Sequence, residues 1–210
     1  MEEQKMDEKE SLRLIQSMVE QSTNDITAGM GNYFLLWGYS SVVASLAASA
    51  AVGQTQNELW YHIYALIPFI AILGKYLILN KFVENEGTAV TFAARAVHAI
   101  WVVAIGILAL FSAKCILHGV HPDVWKGMIM LCILIPSAVS LFTGFLLKEK
   151  TINLCGFAGI FMGCYCLEDL ITSSVFAQVY SVLFPIAMVA VLIVPGHLLN
   201  YKARKEKEGK

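Results

Sequence analysis

"LIPSAVSLFTGFLLKEK", residues 134–150, decides how the chain is read. Pro136 stands inside an apolar run that otherwise has the character of one helix, and the run stops at Lys148-Glu149-Lys150. Proline lacks an N–H and crowds the carbonyl one turn earlier, so an exposed helix in water would kink or end there. In lipid the helix persists, because neighbouring helices and local adjustments satisfy the freed carbonyl. An oily stretch closed by charge in this way predicts a kinked membrane-spanning helix.

The same plan extends along the 210 residues. Hydrophobic residues make up 57% and charged residues 15%, against about 45–50% and about 25% in soluble domains. Mean hydropathy is +0.63. The charges are crowded into islands. None lies between Asp25 and Glu58, Arg95 and Lys114, Lys126 and Lys148, Lys150 and Glu168, or Asp169 and Lys202, and residues 59–80 hold only Lys75. At about 1.5 Å per residue, a hydrocarbon layer of about 30 Å takes roughly 20 residues to cross. Six stretches supply that length, at 31–52, 59–79, 94–113, 127–147, 152–171 and 176–199.

Basic residues set the expected orientation, since cytoplasmic loops are enriched in Lys and Arg. With residue 1 inside, only Lys114 and Lys126 fall outside, and the other thirteen of the fifteen basic residues fall inside. Both termini are therefore expected in the cytoplasm. The opening MEEQKMDEKE is acidic and lacks an apolar core, so the first span, not a cleaved leader, is expected to direct insertion. Aromatic residues mark the borders, with Trp60, Tyr61 and Tyr64 opening the second span, Trp125 the fourth and Tyr201 closing the sixth. Trp37 and Trp101 sit a turn or two inside their spans, where border and packing roles are equally open.

The Leu-Ile-Pro phrase recurs as Leu66-Ile67-Pro68 and, with Phe in place of Ile, as Leu183-Phe184-Pro185, each time in an even-numbered span. The even spans also end alike, at Gly144-Phe145-Leu146-Leu147 and Gly196-His197-Leu198-Leu199. The expected fold is thus an all-α polytopic membrane protein of six transmembrane helices in three hairpins, 31–79, 94–147 and 152–199. Its parts are a cytoplasmic amphipathic helix at 1–30, the transmembrane domain at 31–201 and a basic cytoplasmic tail at 202–210. Within the amphipathic segment Leu12, Ile15, Val19 and Ile26 recur at helical spacing, which suits the membrane surface or a cytoplasmic protein partner bound through residues 9–30. Ser41, Ser45 and Ser49 form one small-residue stripe, and Gly156, Gly159 and Gly163 another. Such stripes let helices approach closely, within one chain or in a homo-oligomer.

Candidate chemistry is sparse. Five cysteines form no CxxC pair and read as small buried groups. Lys75 and Arg95 lie near inner ends, and His98 is the deepest clear ionisable residue. On the outer side His62, His118, His121, Asp123, Glu168 and Asp169 offer donor types that suit a transition metal or acid–base work. Their spacing forms no recognised metal motif, so they are weak candidates, and no catalytic residue, metal or cofactor is assigned. Phosphate-loop, dinucleotide, nucleophile-elbow and haem-attachment phrases are lacking, and the basic residues, without interleaved aromatics, indicate no nucleic acid partner.

The phrases "GNYFLLWGYSSVVASLA" (31–47), "TAVTFAARAVHAIWVVAIG" (88–106), "FTGFLLKEKTINLCGFAGIFMG" (142–163) and "VPGHLLNYK" (194–202) resemble a group of small bacterial inner-membrane proteins. The resemblance implies a six-span protein of this length with an amphipathic N-terminal segment in a bacterial inner membrane, and carries over no activity or site residue. The leading functional expectation is a non-enzymatic membrane sensor, regulator or scaffold. The alternatives are a small-solute transporter or channel, and a membrane enzyme or metal handler using the outer His and carboxylate residues.

Overall fold

The computed structural model describes residues 8–74, 76, 92–117, 122–172 and 176–208. These residues are helical apart from short connections, with no strand among them. Helix α1 runs from Glu8 to Thr55. A 3₁₀ segment, Glu58–Leu66, leads into α2, Ile67–Gly74. Helices α3 (Phe92–Leu117), α4 (Pro122–Leu147) and α5 (Lys150–Thr172) follow. Helix α6, Phe176–Met188, passes through a π turn, Val189–Ile193, into α7, Val194–Glu208. Five helical stretches are long and apolar enough to cross a membrane: Gly31–Thr55, Arg95–Leu117, Lys126–Leu147, Lys150–Leu167 and Val182–Lys205. Leu59–Gly74 is a shorter apolar helix. Lys75 and Lys81 lie outside the described residues.

The outside of the bundle is as oily as its inside. Leu110 and Phe161 are 75% and 77% exposed, an arrangement that water penalises and lipid does not. The amphipathic segment and the first span are not separate bodies, since α1 continues from one to the other without a break.

The three related prolines do different things. Pro136 and Pro185 lie within α4 and α6, and the π turn begins four residues after Pro185. Pro68 stands where the 3₁₀ segment, closed by the Ile67 N–H donating to the Tyr64 carbonyl, turns into α2 as that helix's second residue. A fourth, Pro195, follows the π turn, which closes with the Val194 N–H donating to the Val189 carbonyl. Pro195 has no N–H to offer the Val191 carbonyl one turn back, and Ser140 of α4 donates to that carbonyl at 3.5 Å.

Close approaches set the packing. A Cβ on Gly156 would stand 2.7 Å from the backbone nitrogen and 2.8 Å from the Cα of Leu141, so α4 and α5 meet backbone to backbone. Gly159 and Gly163 continue that contact against Ser137 and Leu134. The glycine stripe is thus used within the chain. Gly31 and Gly38 bring α1 against Asn200 and Ile193 in the same way. Between α4 and α5, Lys148 adopts φ 56. The Lys148 and Glu149 N–H groups close the end of α4 on the Phe145 and Gly144 carbonyls, at 3.2 and 2.9 Å, a left-handed cap that usually falls to glycine.

Candidate functional site

A helix repeats every 3.6 residues, so positions four apart share a face. On α1 that rule aligns Trp37, Ser41, Ser45 and Ser49 along about 18 Å of the bundle's interior. Ser41 and Ser45 have no exposed surface, and Ala44 and Ala48 beside them leave room for neighbouring helices. Tyr64 of the 3₁₀ segment meets the stripe, its hydroxyl 3.0 Å from the Ser45 hydroxyl. Its ring stands edge-on to Phe184 of α6 and stacks with Tyr61, with centroids 5.2 and 6.3 Å apart. From α3, Trp101 packs edge-on to Phe34 at 5.1 Å and tilted to Trp37 at 6.4 Å. Trp37 and Trp101 are packing residues, 2% and 4% exposed.

Most buried hydroxyls elsewhere in the bundle have partners. Ser137 and Thr143 donate to carbonyls one turn back, at 2.6 and 2.7 Å, while Ser112 contacts the Met128 sulfur at 3.6 Å. In this seam of α1, the 3₁₀ segment and α3, by contrast, Trp37 Nε1, Trp101 Nε1 and Ser41 Oγ are buried with no hydrogen-bond partner. A buried polar group without a partner costs about 1–3 kcal/mol. Two indole N–H groups and one hydroxyl therefore favour whatever brings them an acceptor. The described core holds no Asp, Glu, Lys, Arg or His, so the chemistry on offer is neutral hydrogen-bond donation.

The candidates His62, Asp123, Glu168 and Asp169 stand on three elements, the 3₁₀ segment, α4 and α5. His62 is half-buried on the 3₁₀ segment, with its Nδ1 2.6 Å from the Leu59 carbonyl of its own turn. Asp123 stands in the first turn of α4, and Glu168 and Asp169 stand near the end of α5. His118 and His121 lie outside the described residues. Among the described residues no three of His, Cys, Asp or Glu are placed to hold a metal ion. His98, the deepest ionisable residue by sequence, is exposed and packs its ring against Tyr33 at 6.2 Å.

Two groups were not singled out from sequence. Tyr64 reads there as a border aromatic, and only its place opposite the serine stripe makes it the seam's partner. Tyr39 and His197 lie 158 residues apart, yet meet at 2.9 Å on the exposed surface of the bundle. No pattern along the chain announces that pair.

The sequence matches no family model, and no curated protein or solved structure matches it.

Proposed function

We propose that the protein is a non-enzymatic membrane sensor or regulator that couples events in the seam to a cytoplasmic partner through α1. One observation carries the reading: Trp37, Ser41, Ser45 and Ser49 lie on the same unbroken helix as residues 8–30. Those 23 residues extend about 34 Å beyond the first span. A displacement of α1 at the seam is delivered to the apolar positions Leu12, Ile15 and Val19 without an intervening hinge.

The arrangement we propose around this rod is six passes in three hairpins, in a bacterial inner membrane, with residues 8–30 and 202–208 in the cytoplasm. The second pass is the short one. Nine 3₁₀ residues rise about 18 Å and the eight of α2 about 12 Å, together about the thickness of the hydrocarbon layer. The direction of the helices supports the pass. Tyr33 pairs with His98, and Trp37 with Trp101, so the aromatic contacts between α1 and α3 advance in the same sense along both helices, and the chain between them has to return.

Photo-crosslinking residues placed at Leu12, Ile15 or Val19 of the full chain in cells are expected to yield a discrete protein adduct. Two residues inserted after Gly29 turn the rod by about 200° and should abolish it, while four turn it by about 40° and should preserve it. No adduct at any of the three positions, or indifference to the two-residue insertion, overturns the reading. The unpartnered seam donors favour a second reading, a small-solute transporter. It requires solute flux into vesicles that Ser41→Leu abolishes.

A further inference from the structure

We propose that the outward face of α7 around His197, joined by Tyr39 of α1, is a binding site for one anionic phospholipid. The two helices touch closely here. A Cβ on Gly38 would stand 2.6 Å from the Ile193 side chain, and one on Gly196 would stand 2.9 Å from Leu35. The contact carries two polar pairs at its surface, Asn200 Nδ2 to Asn32 Oδ1 at 3.0 Å and Tyr39 to His197 at 2.9 Å. Tyr39 is 48% exposed and His197 is exposed beside it. An imidazole and a phenol turned outward within an apolar span are costly unless a polar partner meets them. Their mutual bond uses only part of their capacity, since imidazole has a second nitrogen and the phenol oxygen both donates and accepts.

The rest of the face continues in order toward water. His197, Tyr201, Arg204 and Lys205 stand at intervals of four, seven and eight residues, hence on one side of the helix, and all are exposed. Lys202 points elsewhere and pairs with Glu149. Taking Tyr201 as the border, His197 lies about 6 Å on the apolar side and Arg204 and Lys205 about 4 to 6 Å on the aqueous side. That range covers the headgroup layer, about 5–7 Å per leaflet. Val194 and Val189, 43% and 40% exposed, extend an apolar shoulder on the acyl-chain side. A diacyl phospholipid fits each level, with chains on the valines, an ester carbonyl at His197 and Tyr39, and phosphate at Arg204 and Lys205. The cationic pair selects an anionic headgroup over a zwitterionic one.

The inference rests on the membrane reading only in taking α7 to leave the bilayer near Tyr201, and needs no cytoplasmic partner. Native mass spectrometry of the full chain in detergent, titrated with dioleoylphosphatidylglycerol or dioleoylphosphatidylcholine, tests it. One phosphatidylglycerol per chain is expected to bind at least about tenfold more tightly than phosphatidylcholine. Arg204→Gln with Lys205→Gln should weaken it by about 25-fold, whereas Lys148→Gln with Lys150→Gln removes the same charge and should change it by less than about twofold. Tyr39→Phe keeps the ring and the net charge and should weaken it by about threefold or more. Equal losses from the two charge pairs would show diffuse attraction and overturn the site, as would an inert Tyr39→Phe or displacement of the lipid by millimolar glycerol phosphate. Lipid retention lost while the crosslinked adduct persists, or the reverse, separates this site from the proposed coupling.

Discussion

Tyr64 and Ser45 show what one polar contact is worth in this interior. Both are fully buried, nineteen residues apart on successive elements, and joined at 3.0 Å. Hydrogen bonds between membrane helices average about 0.6 kcal/mol and reach about 1.7. Tyr64→Phe is expected to cost that amount in detergent unfolding and to leave Ser45 as a further unpartnered hydroxyl. Ser45→Ala together with Tyr64→Phe should cost less than the separate losses added, as a double-mutant cycle registers for a direct pair. Strict additivity would mean that the two hydroxyls do not interact. The serine stripe itself was legible from its spacing. Its partner was not, because a tyrosine near a span border reads as an interfacial anchor until another helix is seen to face it.

Among the elements, α4 and α5 show how a glycine stripe is spent. Leu141 backbone atoms occupy the place of a Gly156 side chain, so Gly156→Ala has to push two helices apart, at a cost of about 1–3 kcal/mol. Gly106 of α3 has nothing within 4 Å of its Cβ position, and Gly106→Ala should be neutral or stabilise by up to about 1 kcal/mol. Unfolding of both variants in mixed micelles checks the contrast, and equal effects would mean that the α4–α5 approach is looser than described. The prolines carry a related lesson. Sequence marks where a backbone donor is missing. What happens there depends on neighbours: Pro68 opens α2, Pro136 sits within an unbroken α4, and Ser140 answers the carbonyl one turn before Pro195.

For the whole molecule, the number of crossings fixes which side each connection faces. In a variant without native cysteines, single cysteines at Asn57, Lys148 and Lys205 should label with an impermeant maleimide from different sides of sealed vesicles. Six passes put Asn57 on one side and Lys148 with Lys205 on the other. Were the 3₁₀ segment and α2 not to cross, Asn57 and Lys148 would share a side. The parallel course of α1 and α3 favours the first outcome, since their aromatic contacts lie at matching distances from Gly31 and Arg95.

Sequence alone determined that the chain is helical, that its apolar stretches match a bilayer, and where most of them begin and end. Ionised groups are expelled from hydrocarbon wherever the helices happen to sit, so charge spacing reports span borders without knowledge of the packing. Only the tertiary structure decided which polar groups meet. The Ser45–Tyr64 contact, the Trp37–Trp101 ring packing and the Tyr39–His197 pair each join residues from different helices, and their distances depend on how closely glycines let those helices approach, which no spacing along a single helix encodes.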